Sequence, residues 1–260
     1  MVQDFLHIYH CDERFFIAQT LAGDVSRDVY GFNLGLHVGD EASAVFARRG
    51  VLLSAINEVL GRQAVHELAW LSQVHGGEVA TYTSSFSPKA ADAWVSDQAG
   101  VGLCIMTADC VPVAIFEGGE TPAIACVHAG WQGLVAGVIK NAVNAMSPHA
   151  QKKAYIGACI GKDSYEIPLE MAKKITKGIA EKGLVTLDEQ TLFFAAVTQI
   201  SDEKALLDVA TLARLQLECL GVQVLNEAVA CSYTGAYHSH RRATHQGVAA
   251  GRMAMVIAKF

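Results

Sequence analysis

The chain predicts an α/β fold, one large domain over residues 1–260. Three observations carry that prediction. Continuous apolar or β-branched runs of strand length recur along the sequence, segments of helical period alternate with them, and no Pro-, Ser- or charge-rich stretch divides one half from the other. With 260 residues and 52% hydrophobic content there is enough apolar side chain for a large core. The 23 Gly, set against only 5 Pro, are scattered as turn punctuation, and no internal repeat or low-complexity tract is present.

Residues 5–10 and 15–18 predict two short strands, followed by a turn at Gly23 and Asp24. Asn33-Leu-Gly-Leu-His37-Val-Gly-Asp40 sets glycines on both sides of His37, which predicts a loop that approaches something closely. Residues 41–60 place Val45, Leu52, Ile56, Val59 and Leu60 at helical spacing, with Gly61 where a helix-ending glycine belongs. Residues 68–71, 79–82, 102–107, 111–116 and 123–127 predict five further strands, so Cys110 and His128 fall at strand ends. A helix over 132–146 would point its N-terminus at the His128 turn and offer free N–H groups to an anion. Residues 155–160 predict a strand, and Pro168 starts a helix that runs to about residue 182. Residues 202–220 predict a second long helix, with short strands at 222–224 and 229–232.

A formal charge of −6 argues against a nucleic-acid surface, which needs a basic stripe, so small molecules are the expected partners. The first twenty residues are interrupted by Asp12, Glu13 and Arg14 and form no secretory core, and no run is long enough to span a membrane. A cytoplasmic protein is expected, with its 7 scattered Cys as reduced thiols.

His75, Cys110 and His128 are candidate metal ligands. Two imidazoles and a thiolate suit Zn²⁺, and three protein ligands leave a fourth position open, the catalytic arrangement. Their separations are too long to close a site locally, so a tertiary fold must assemble them. The same residues also read as hydrogen-bonded strand-end histidines and a buried thiol. Arg241 and Arg242 could grip phosphate or carboxylate, or belong to a solvated basic patch. His238 and His240, at i and i+2, could be metal ligands on one strand face, or surface histidines. Asp92 and Asp109 are candidates for proton transfer or for orienting an imidazole, and equally for turn residues.

Taken together, several motifs resemble one family: Asn33-Leu-Gly35 with His37-x-Gly-Asp40, Gln73-Val-His75-Gly, Thr107-Ala-Asp-Cys110-x-Pro112, Val127-His-Ala-Gly-Trp131, Gly157-x-x-Ile160-Gly, and Ser239-His-Arg-Arg242 followed by Gly251-Arg-Met-Ala254. In that order they resemble the laccase-domain, or polyphenol-oxidase-type, purine nucleoside phosphorylases over nearly the whole chain. The resemblance implies a single domain of mixed β-sheets flanked by helices, similar to the catalytic fold of a deamidating toxin. It also implies zinc on His75, Cys110 and His128, with phosphorolysis of adenosine, inosine, guanosine or methylthioadenosine, or deamination of adenosine. The chain departs from the family pattern at three places. Leu21 and Gln132 stand where the family usually has arginine, and His238-Ser-His-Arg-Arg-Ala243 replaces the usual Phe-Ser-Tyr-Arg-Arg-Asp.

In this reading zinc would bring the pKa of its water to roughly 7, which suits deamination. Phosphorolysis instead needs phosphate held beside C1′ of ribose, for which Arg241, Arg242 and the helix after His128 are the expected anion holders. Asn33 and His37 would contact ribose or base, and Trp131 would stack on the purine or else pack in the core. Three alternatives stay open. One is a copper polyphenol oxidase, for which the chain has too few paired histidines. Another is a hydrolase editing cell-wall precursors, with Cys110 as nucleophile and His128 as base. The last is a non-catalytic zinc- or nucleoside-binding protein.

Overall fold

Two sheets pack face to face and each is covered on its outer side by helices, which is why so many strands read as unbroken apolar runs rather than alternating ones. The computed structural model describes residues 5–26, 28–83 and 88–260. The first sheet is ordered β1 (Leu6–Cys11), β2 (Phe15–Thr20), β14 (Met253–Lys259), β6 (Val101–Thr107), β3 (Glu67–Ala69). Its pairs are antiparallel except β3 with β6. The second sheet is ordered β13 (Gln223–Val224), β9 (Lys152–Ile156), β7 (Val111–Glu117), β8 (Ile124–Ala129), β5 (Ala93–Ser96), β4 (Val79–Thr81), antiparallel inside with a parallel pair at each edge. A small antiparallel sheet joins β10 (Glu166–Pro168), β12 (Lys204–Leu207) and β11 (Val197–Gln199).

The period-two geometry of a strand sends successive side chains to opposite faces, and here both faces meet a core. Ile17, Leu103, Ile105, Met255 and Ile257 of the first sheet meet Ala114, Phe116, Ile124 and Cys126 of the second. Their neighbours Phe16, Ala18, Cys104 and Val256 face the other way, onto Leu52 and Ile56 of α1 (Ala42–Leu60). On the far side of the second sheet, Val113, Ile115, Ala125 and Val127 pack under α2 (Trp131–Ala136), α3 (Val138–Asn144), α4 (Leu169–Glu181), α5 (Glu189–Ala196) and α6 (Val209–Cys219).

The α/β class and the mixed sheets expected from the sequence are present, and several element boundaries differ. The helix expected over 132–146 is broken at Gly137, whose φ of +83° ends α2 before α3 restarts the chain in a new direction. The helix expected over 202–220 is strand β12 followed by α6; Asp208 caps α6 by accepting from Thr211 N at 2.9 Å, so the apolar period overran the cap. The strand expected at 155–160 lies earlier, at β9, and that at 229–232 reduces to one bridge between Cys159 and Cys231. The basic segment at 239–246 contains α7 (His240–Gln246), capped by Ser239. Among the described residues no helix is long and apolar enough to cross a membrane.

Candidate active site

The chain passes from the first sheet to the second between β6 and β7, and the site is built on that passage. Thr107-Ala108-Asp109-Cys110 makes the turn, with Asp109 at φ +97°, a conformation that costs a non-glycine residue about 1–3 kcal/mol and must be held from outside. Asp109 is held by both oxygens. Oδ1 accepts from Ser232 Oγ at 2.7 Å and Oδ2 from the backbone N–H of Arg241 at 2.6 Å, so the N-terminal end of α7 is tied to the turn that presents Cys110.

His128 ends β8 and is buried; His75 sits in the turn beyond β3 at φ +59° with its ring toward solvent. Buried Asp92, just before β5, organises both. Its Oδ1 lies 2.8 Å from His128 Nδ1 and accepts from His75 N at 2.9 Å, and its Oδ2 accepts from Gly76 N at 2.6 Å. Gln73 fixes the same turn from the other side by pairing with the backbone of Met106, donating to its O and accepting from its N at 2.7 Å each. With Nδ1 of His128 engaged by Asp92, Nε2 is the nitrogen that faces Cys110. The rings of His75 and His128 stand edge to face, centroids 4.7 Å apart. The available ligand atoms of His75, Cys110 and His128 all lie within 4.8 Å of one another.

Electrostatics follow from this packing. Burial by itself would raise the Cys110 thiol, but the charge and hydrogen bonding of His128 and His75 outweigh it and pull the pKa well down. Burial would lower the His128 imidazole, but the Cys110 thiolate and the Asp92 carboxylate push it up. Burial would likewise raise Asp92, yet hydrogen bonds from His128, Gly76 and His75 hold it below the ordinary carboxylate range. The two shifts together favour a thiolate beside a protonated His128 ring, with His75 next to them. That donor set, with a carboxylate behind one ring, suits a borderline-soft divalent metal.

A cavity of about 1030 Å³ opens over the trio, with His37, Trp70, Trp131, Tyr165, Arg49, Arg241 and Arg252 in its walls. Of the expected substrate-binding residues, the structure brings His37, Trp131 and Arg241 to this cavity. Two expectations are corrected. Arg242 turns away from it: its guanidinium donates to the carbonyls of Ser232, Tyr233, Gly235 and Tyr237, so the loop before α7 consumes the cation. Asn33 is fully buried; it donates to Gly35 O and Asp40 and accepts from Gly35 N and Arg252 N, which shapes the loop carrying His37 rather than reaching a ligand. His238 is also buried, not on the surface, while His240 lines the cavity. Asp92 and Asp109 both orient neighbouring groups through their hydrogen bonds. Leu21 packs against a small apolar cluster of Ala158, Tyr237 and Met253, and Gln132 lies in the cavity wall.

Arg49, Trp70 and Tyr165 were not legible in the sequence as wall residues, and Gln73 and Arg252 stood out only as members of motifs. The signal at Arg49 was an Arg-Arg pair on α1, and it is visible only once Arg48 is seen to pair with Asp28 and Asp40.

The family described as multi-copper polyphenol oxidoreductase laccase matches residues 15–259. The chain belongs to this laccase-domain family. An Escherichia coli K12 member named purine nucleoside phosphorylase YfiH is 34% identical over 245 residues, 92% of this chain and 91% of its own length. A Pseudomonas aeruginosa member named purine nucleoside phosphorylase PA4543 is 30% identical over 88% of each chain. Among solved structures, a Neisseria meningitidis protein superposes with a TM-score of 0.77 at 27% identity over 98% of both chains. YlmD from Geobacillus stearothermophilus shares the fold with a TM-score of 0.75 at 22% identity, over 98% of this chain and 99% of its own. The family description speaks of copper, whereas the names of the laccase-domain relatives speak of purine nucleosides.

Proposed function

We propose that this laccase-domain protein is a zinc-dependent purine nucleoside phosphorylase, cleaving adenosine, inosine, guanosine or methylthioadenosine with inorganic phosphate. The observation that carries the reading is the trio His75, Cys110 and His128, locked by Asp92 at the base of a cavity of about 1030 Å³, in a chain whose relatives bear the phosphorylase name. His75, Cys110 and His128 would hold the metal, which when bound supplies a Lewis-acid charge at the floor of the cavity.

The remaining work falls to the chain itself. Asp92 keeps His128 in one tautomer and fixes the His75 turn, so the donors need not reorganise as substrate arrives. Trp131 supplies an aromatic face of the cavity against which a purine can stack. Tyr165, whose phenol burial pushes up to about 12, stays protonated as a hydrogen-bond donor in the wall. Arg241 is placed by its backbone on Asp109 and by its guanidinium on Glu166 O and the Tyr165 ring.

One observation favours a second reading. Cys110, His128 and Asp92 form a thiol, imidazole and carboxylate in line, the arrangement of a cysteine hydrolase. His75 argues for the metal, because a nucleophilic thiol needs one imidazole and this site supplies two.

The test is mass-spectrometric product analysis of zinc-replete protein with adenosine or inosine and phosphate. Free purine plus ribose 1-phosphate, lost in Cys110→Ala and His75→Ala, is the expected result. Inosine formed from adenosine in phosphate-free buffer would assign deamination to the same cavity. No nucleoside product, with acylation of Cys110 by an amide substrate, would replace the reading with the hydrolase.

A further inference from the structure

Three arginines line the cavity and none pairs with a carboxylate among the described residues; Arg241 directs Nη1 to Glu166 O and lies over the Tyr165 ring. Arg49, from α1, and Arg252, just ahead of β14, are both largely withdrawn from water. Each is aimed by neutral groups. Arg49 donates from Nε and Nη2 to Leu34 O at 3.1 and 2.8 Å, and its guanidinium carbon lies 3.9 Å from the centre of the Trp70 ring. Arg252 donates from Nη1 to the carbonyls of Ala250 and Gly251 at 3.1 Å each. Its stem lies against Gly35, where a Cβ would come within 2.8 Å of Arg252 Cγ, and its backbone N–H is held by Asn33 at 2.8 Å.

This arrangement leaves Arg49 Nη1 and both Nε and Nη2 of Arg252 without a hydrogen bond to any described residue. A half-desolvated guanidinium without a counter-charge is costly, and two converging on one cavity are costlier still unless an anion enters. The neighbourhood places that anion. His37, Arg49 and Arg252 line the same cavity as His75, Cys110 and His128.

We infer that Arg49 and Arg252, with the His37 ring at the edge, form the subsite for the inorganic phosphate co-substrate. The inference rests on the phosphorylase reading and assigns the phosphate to this wall rather than to Arg241 and Arg242. The Nε/Nη2 fork of Arg252 and the single remaining Nη1 of Arg49, from different elements, can each take an oxygen of a tetrahedral oxyanion and leave a third oxygen for the rest of the cavity. In the reaction an oxygen of hydrogenphosphate forms the bond to C1′ of ribose, and the C1′–N bond breaks with its electron pair on the purine. The proton carried by hydrogenphosphate ends on the purine nitrogen, so no further reactant is needed. The arginines hold charge and transfer nothing. The anion-binding role thereby falls on residues whose stems are locked by Asn33, Gly35 and Trp70. That also gives the buried Asn33 a part at one remove: it positions Arg252 through the backbone and His37 through the loop.

The experiment is calorimetric titration of inorganic phosphate into the metal-replete protein without nucleoside, paired with separate KM values for phosphate and nucleoside. Arg252→Gln is expected to weaken phosphate binding and raise the phosphate KM by at least about tenfold, with nucleoside KM within about twofold. Arg252→Lys, which keeps charge and loses the fork, should fall between. Arg49→Gln should act in the same direction; because it also releases Leu34, the Arg252 variants decide the matter if it unfolds. Phosphate affinity unchanged in Arg252→Gln and lost in Arg241→Gln would overturn the inference, as would wild-type protein that binds no phosphate. Phosphate binding that depends on Arg252 in a protein that turns over no nucleoside would keep the subsite and remove the phosphorylase reading.

Discussion

Asp92 stands directly behind His128, Oδ1 to Nδ1 at 2.8 Å, and the same carboxylate accepts the backbone N–H groups of His75 and Gly76. One buried side chain thus fixes the ring of one candidate ligand and the turn of another. In Asp92→Asn the amide nitrogen must face either His128 or the Gly76 N–H, so one of these hydrogen bonds becomes a clash of donors. Metal affinity should fall by about 10–100-fold while the far-UV circular dichroism stays native. Competition with a colorimetric chelator measures it. Affinity within about threefold of wild type would show that Asp92 does not position the ligands.

Gly130 separates His128 from Trp131 and leaves no room for a side chain. A Cβ there would lie 2.9 Å from Cys110 Sγ and 3.5 Å from His75 Cδ2. Backbone conformation is no obstacle, since φ is −68°. Gly130→Ala should therefore displace the sulfur, with bound metal per chain dropping well below the wild-type ratio in elemental analysis. A fully loaded, fully active Ala variant would mean that the Cys110 position is more forgiving than the packing implies.

The reach of the sequence can be judged from these residues. His75, Cys110 and His128 were legible because ligand-type side chains at strand ends are rare enough to stand out, and the motif order tied them to a family. The strands flanking them were legible for a related reason: sheets covered on both faces leave unbroken apolar runs, as at β6, β7 and β8. The short strands β10, β11 and β12 were hidden because three- and four-residue segments carry too little periodicity to compete with the helix beside them. The arginines show the sharper limit. Charge is visible in a sequence, but whether a cation is already consumed is a tertiary fact. Arg242 was legible as an anion holder and is engaged by four carbonyls, whereas Arg49 was overlooked on α1 and is uncompensated in the cavity.

That contrast makes a prediction for Arg242. Its guanidinium closes the loop from Ser232 to Tyr237, so Arg242→Met should remove several charge-assisted hydrogen bonds and lower stability by about 2–3 kcal/mol. Urea denaturation reads the loss. Phosphate affinity of the fraction that remains folded should match the wild type. Undiminished stability with a raised phosphate KM would return Arg242 to the role first expected of it.

Gly137 tests the break between α2 and α3. Its φ is +83°, and a Cβ would lie 3.1 Å from Leu184 Cδ2. Gly137→Ala therefore has to adopt a left-handed backbone and crowd the core together, and it should cost about 1–2 kcal/mol or more in urea denaturation. A neutral or stabilising substitution would mean that the two short helices tolerate being joined into the single helix that the sequence suggested.

His238 offers a pH dependence whose sign can be worked out. The ring is buried against Gly251 with Nε2 unpartnered, and its pKa is lowered from 6.5 to about 4, first by burial and then by Arg252, Arg242 and Arg48, with Asp28 opposing. Between these two values the unfolded chain binds a proton that the folded chain refuses. Unfolding is then linked to proton uptake, and stability falls as the pH drops. The contribution is intact above pH 6.5 and is lost progressively toward pH 4, by about 3 kcal/mol at the lower end. His238→Phe, which restores the residue usual in the family pattern, should flatten this part of the stability curve whatever it does to the absolute value. Urea midpoints collected from pH 7.5 down to about 4.5 test the difference, since that interval brackets most of the linked titration. Parallel curves for the two proteins would mean that the His238 ring takes up its proton without leaving the core, with Asp28 able to balance the charge against the three arginines.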